Sequence, residues 1–177
     1  PSGFEPDSWQ NSATGKVNWH ARYLADGDYL TALFPSQAAT LTINDLDSLR
    51  YWTKRPAGTL AGRDWAMYIY TRPKTGGDGT WYGYRFLNNY EEHTETGDWT
   101  EYSTLDSMTF RKNSGTQTGL MSFDDLKAAY GSELIEMISI QTMSNWSGGF
   151  DGYMDGLTIT LTDGSVGRVN FVRQPTL

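Results

Sequence analysis

Apolar and polar positions alternate with a period of two along most of this chain. The clearest case is residues 155–161, where Leu157, Ile159 and Leu161 share one face and Thr158 and Thr160 the other. That is the pattern of a half-buried β-strand. Counting back by two from Leu157 puts Asp155 on the apolar face. A carboxylate there is costly unless it is paired or bound to a metal. The pattern therefore predicts a cation beside Asp155, or a strand that frays before reaching it.

The same period predicts strands over 16–23, 28–34, 38–43, 48–55, 65–72, 80–87, 98–102, 108–112, 134–142 and 166–172. In 48–55, Leu49, Tyr51 and Thr53 oppose Arg50, Trp52 and Lys54. In 80–87, Tyr82, Tyr84 and Phe86 oppose Trp81, Gly83, Arg85 and Leu87. Turn-forming residues separate the runs: Pro35-Ser36, Gly76-Gly77-Asp78-Gly79 and Thr162-Asp163-Gly164-Ser165. One helix is predicted near 122–130, with Ser122 and Asp125 in an S-x-x-D capping pattern and Gly131 at its stop. Many short strands with polar turns and one small helix indicate an all-β antiparallel sandwich, a single domain over 1–177.

Composition narrows the chemistry. Among 177 residues there is no cysteine, which removes disulfides, thiolate chemistry and cysteine zinc sites. No apolar run is long enough to span a membrane. The chain opens at Pro1 without Met, as a processed product or an excised module would. The net charge is −7, which argues against nucleic acid as a partner. Between Arg50 and Arg85, however, seven cations accompany only Asp64 and Asp78. That imbalance is either ordinary surface charge or a basic face suited to an acidic ligand. Seven Trp and 11 Tyr are more than a core of this size uses easily, because each needs a partner for its N–H or O–H. Some are therefore expected at the surface, where flat rings suit sugar stacking.

Catalytic motifs are missing: there is no G-x-S-x-G, H-E-x-x-H, P-loop or G-x-G-x-x-G. His20 falls in a strand and His93 in the acidic loop 88–97. The parity of 48–55 and 80–87 would turn Arg50, Trp52, Lys54, Trp81 and Arg85 outward, with Asn89, Tyr90, Trp99 and Trp146 as loop walls. Rings for stacking and guanidinium groups for polar contacts make this a candidate carbohydrate-binding set. An enzymatic alternative is a polysaccharide lyase built on Tyr84, Arg85, Asn88, Asn89, Tyr90 and His93. There Tyr or His would take the proton next to a uronic carboxylate that Arg or Asn neutralises. A third alternative is a surface or matrix domain without a sugar ligand.

Two distant signatures occur together. Gly3-Phe4-Glu5 is followed by Trp9, and the chain closes with Gly152-Tyr153-Met154-Asp155-Gly156-Leu157-Thr158-Ile159. This pairing resembles the jelly-roll carbohydrate-binding modules. The stretches 45–51, 99–105, 124–130 and 146–153 resemble uncharacterised secreted bacterial jelly-roll domains. The resemblance implies a jelly-roll fold, a polysaccharide partner, a secreted or cell-surface location and a monomeric domain. It also implies a structural calcium shared by Glu5 and Asp155, with Asp28 and Asp151 as further candidates. The chain departs from the family pattern at Gly156, where Asp or Asn is usual, which removes a possible ligand.

Overall fold

Where the alternation is clean, the chain extends and buries every second residue. The structure is a computed structural model and describes residues 9–11, 18–23, 29–143 and 152–171. Glu5, Asp28, Trp146 and Asp151 lie outside these residues. The described residues form β1 (Trp9–Asn11), β2 (Asn18–Arg22), β3 (Leu46–Lys54), β4 (Ala66–Thr71), β5 (Arg85–Asn88), β6 (Trp99–Ser103), β7 (Thr109–Lys112), β8 (Met121–Ser122), β9 (Ile135–Gln141), β10 (Gly152–Leu161) and β11 (Val166–Val169). Two short helices join them, α1 (Tyr29–Leu33) and α2 (Phe123–Tyr130).

The strands make two antiparallel sheets. One has the order β1-β10-β3-β6, with β11 also paired to β10. The other has the order β2-β9-β4-β5-β7-β8. Leaving aside the β7–β8 hairpin and β11, the chain visits the sheets in jelly-roll order. Leu49 and Tyr51 from one sheet meet Met67, Ile69, Ile138 and Ile140 from the other in one fully buried cluster. Each such side chain contributes roughly 1.5–3 kcal/mol by leaving water. Tyr51 also ties the layers polar-wise: its hydroxyl donates to the Trp65 carbonyl at 2.8 Å and accepts from Asn88 at 2.9 Å.

The helix near 122–130 forms as its capping pattern predicts. Ser122 Oγ accepts from the Asp125 N–H at 3.1 Å. Gly131 keeps a right-handed conformation, φ −59°. Its need for glycine is steric, since a Cβ there would collide with Asn44 and the Lys127 carbonyl.

Three predicted strands are corrected. Within 28–34, Tyr29–Leu33 forms α1 rather than a strand, because Leu30 and Phe34, four apart, are the positions that reach the core. Residues 38–43 form 3₁₀ turns at Ala38–Thr40 and Ile43–Asp45, with only a Thr42–Leu134 bridge between them. In 80–87 the ladder begins only at Arg85. Phe86 is buried in the main core and Tyr84 packs against it, but Tyr82 packs on the opposite face of the sheet.

The face assigned to Asp155 is also corrected. Against β3 the register of β10 runs Asp155↔Trp52 and then Thr158↔Arg50. Three residues of β10 thus span two of β3, which is a β-bulge. Gly156 occupies it at φ +65°, a left-handed conformation that only Gly, Asn and Asp adopt readily. The extra residue reverses the phase. Leu157 and Ile159 face the core, while Asp155 projects with Trp52 from the outer face. Asp155 is still only 1% exposed. Its Oδ1 accepts the backbone N–H groups of Gly156 at 2.7 Å and Phe171 at 2.9 Å.

Candidate functional site

Residues directly opposite each other in a ladder project from the same side of the sheet. Reading across β11, β10, β3 and β6 therefore maps the outer face of the first sheet. One row is Arg168, Thr158, Arg50 and Ser103; the next is Asp155, Trp52 and Glu101; the third is Tyr153, Lys54 and Trp99. Between the first two rows lies a hollow of about 310 Å³ bounded by Arg50, Trp52, Glu101, Gly156, Arg168 and Asn170. Gly156 contributes no side chain to it, so the bulge that settles the phase of β10 also keeps the hollow open. With strands about 4.8 Å apart, the Arg168 and Arg50 backbones stand roughly 10 Å apart on either side of Thr158. The Trp99 and Tyr153 rings approach to 6.4 Å over Lys54.

Half of the predicted binding set is thus assembled: Arg50, Trp52, Lys54 and Trp99 share this face. Glu101, Arg168 and Asn170 were missed. The parity of the closing hairpin held the signal, since Arg168 opposes the inward Val169 and Phe171 in phase.

The other half sits elsewhere. Trp81 and Arg85 belong to the outer face of the second sheet, so Trp52 and Trp81 do not form one platform. Asn89 and Tyr90 are each 8% exposed beyond the end of β5. The cations of 50–85 are equally dispersed and build no single basic face. Arg55 is buried with Asp64, Arg72 donates to the Ala38 and Ala39 carbonyls, Lys74 pairs with Glu133, and Arg85 bonds Asn113.

His93 is not a solvated loop residue. It is 5% exposed, and its Nδ1 lies 2.8 Å from Oδ2 of the fully buried Asp64. That carboxylate also accepts from Thr53 Oγ1 at 2.7 Å and the Trp65 N–H at 2.8 Å, with Arg55 Nε at 3.7 Å. The Arg55 guanidinium donates to the carbonyls of Arg63, His93 and Glu95. On its other side the His93 ring stacks on Tyr102, centroids 3.4 Å apart. Burial, and then the Asp64 charge, push the Tyr102 hydroxyl up to about 12. His93 and Tyr102 line a cleft of about 160 Å³ together with Glu92, Glu101 and Asp106. A uronate entering it would meet three carboxylates and no Lys or Arg among the lining residues. Of the other residues of the lyase alternative, Asn89 also lines the cleft, while Tyr84, Arg85 and Asn88 do not. Asn88 is spent on Tyr51 and the Met67 N–H, Tyr84 packs against Tyr130, and Arg85 lies on the second sheet.

Asp155 was the proposed calcium ligand. Two N–H donors on Oδ1 give this carboxylate the hydrogen bonds that a buried acid needs. Among the described residues no group of three His, Cys, Asp or Glu side chains gathers in metal-binding reach. The donors described fit a hydrogen-bonded carboxylate. A shared ion would depend on Glu5, outside the described residues.

Comparison with protein-family models, with curated proteins and with solved structures returned no match to this chain.

Proposed function

We propose that this domain binds an acidic polysaccharide without acting on it, through the hollow on the outer face of the first sheet. The observation that carries the reading is the placing of Arg50 and Arg168 on either side of a depression beside Trp52. An indole presents a flat apolar surface to the C–H face of a sugar ring. A guanidinium offers a planar pair of donors that matches a carboxylate or a vicinal diol. Glu101 and Asn170 supply acceptors and a donor for hydroxyl groups. Lys54, with Trp99 and Tyr153 in the adjacent row, extends the surface along the sheet as a polymer requires.

A secreted or cell-surface location and a structural calcium at Asp155 and Glu5 belong to the same proposal. The ion is tested by melting with and without chelator. An unchanged midpoint means that Asp155 is satisfied by protein groups instead.

Affinity electrophoresis in gels containing polygalacturonate, alginate or a neutral β-glucan tests the binding. Retardation is expected on the anionic polymers and weakens with salt. Trp52→Ala and Arg50→Ala each lower affinity by about tenfold, the loss typical of a truncated anchor residue. Equal mobility on every polymer would overturn the proposal.

A further inference from the structure

The outer face of the second sheet carries a built feature that the hollow does not use. Arg22, Met137, Tyr70 and Arg85 form one row across β2, β9, β4 and β5. The chain before β5 folds back over this row, with Gly83 N–H bonded to the Thr71 carbonyl at 2.8 Å. That return lays Trp81 on Tyr70, centroids 5.0 Å apart and planes 25° apart. Tyr70 in turn stacks on Tyr68 at 5.9 Å. Tyr82 holds the indole edge-on at 4.9 Å, and the Arg22 guanidinium carbon lies 5.0 Å from its centroid.

Trp81 is thus fixed by three groups, yet it remains 40% exposed. Tyr68 and Tyr70 beneath it are 4% and 5% exposed, so Trp81 is the member of the stack that is open to solvent. Beside it, Arg85 is held by Asn113 through its carbonyl at 2.7 Å and its Oδ1 at 2.7 Å. Those partners orient the guanidinium, and both are amide oxygens; among the described residues no carboxylate pairs with Arg85. Arg22 is different, because it is paired with Glu136 at 3.0 Å. A rigid indole next to an oriented cation fits a ring that carries an anionic group.

We propose that the Trp81–Arg85 platform is a second binding site for an anionic sugar residue, on the side of the sandwich opposite Trp52. The ring rests on Trp81 and its carboxylate or sulfate meets Arg85. Two sheets separate the sites, so one short segment of polymer cannot fill both without wrapping an edge. A single domain then bridges two polysaccharide strands. The ligand class rests on the proposed function; the site itself rests on separate residues.

The test uses the whole ¹⁵N-labelled chain, with the indole N–H signals of Trp52 and Trp81 assigned from Trp52→Phe and Trp81→Phe. The probes are oligogalacturonate, oligomannuronate and a heparin-derived oligosaccharide, titrated separately. The expected result is that both indole signals move. In Arg85→Gln, the Trp81 titration weakens by about tenfold while the Trp52 titration is unchanged. With long polygalacturonate, light scattering rises for the wild type and not for Trp52→Ala or Trp81→Ala. Movement of Trp52 alone overturns the second site and leaves the proposed function standing. Movement of Trp81 alone supports this site and overturns the placing of the ligand at Trp52. Movement of neither, with all three probes, overturns both.

Discussion

Gly156 offers a sharp test of how β10 is built. At φ +65°, a Cβ costs about 1–2 kcal/mol because it crowds the following carbonyl. Gly156→Ala should therefore lose about that much stability. Asn tolerates the left-handed region through local hydrogen bonding, so Gly156→Asn should lose under about 1 kcal/mol. Deleting Gly156 is a different perturbation, because it removes the residue that the register leaves unpaired. Asp155 is then followed directly by Leu157, outward and then inward, so both keep the faces they have. Asp155↔Trp52 runs on to Thr158↔Arg50 without a shift. The loss is confined to the Gly156 N–H that Asp155 accepts, about 1–3 kcal/mol for a buried carboxylate short of one donor. That is a fraction of the stability of a typical domain, about 5–15 kcal/mol. Guanidinium unfolding followed by tryptophan fluorescence measures all three variants. The expected order of midpoints is wild type, Asn, Ala, with the deletion variant folded. A deletion variant unfolded in buffer, or Asn as costly as Ala, would refute the bulge argument.

Two further outcomes follow from the buried polar residues. Asp64→Ala strands the Arg55 charge, 1% exposed, and should cost about 3–5 kcal/mol. The double variant Arg55→Met with Asp64→Leu should recover most of that loss in a double-mutant cycle, and simple additivity would mean that the pair is not coupled. Burial raises the hydroxyls of Tyr51, Tyr68 and Tyr70, and burial with Asp64 raises Tyr102 to about 12. A raised folded pKa favours the protonated native state, so this stability is intact below about pH 10 and is lost as pH climbs toward 12. Tyr102→Phe should make the loss in that window shallower by at most about 2.7 kcal/mol. An unchanged alkaline limb would exclude Tyr102 as a contributor.

Much of the sandwich could be read from alternation alone, because a period of two records which face of a strand is dry. Leu49, Tyr51 and Thr53 turn inward while Arg50, Trp52 and Lys54 do not, as their pattern predicts. Alternation does not record which strands share a sheet. Trp52 and Trp81 therefore looked like neighbours when they stand on opposite faces. It also fails wherever one residue breaks the count. Gly156 did so in β10, and its φ follows from no neighbouring residue type. In 28–34 the spacing of Leu30 and Phe34 is helical, but one turn is too short for that period to outweigh an apolar run. The Arg55–Asp64–His93 network was invisible for another reason. Its three members come from separate loops and strand ends, and each alone resembles a solvated charge.

The order of strands in the two sheets has a consequence for how the chain reaches this state. β10 is inserted between β1 and β3, and β9 between β2 and β4. Emerging from its amino end, the chain makes β1 to β8 with a gap in the middle of each sheet. Those open edges stay available to other chains until about the last quarter of the sequence is made. Pairings so distant along the chain also slow folding, since loop closure precedes any stabilising contact. Rearranging the chain so that β9 and β10 are synthesised first should speed refolding without altering the native contacts.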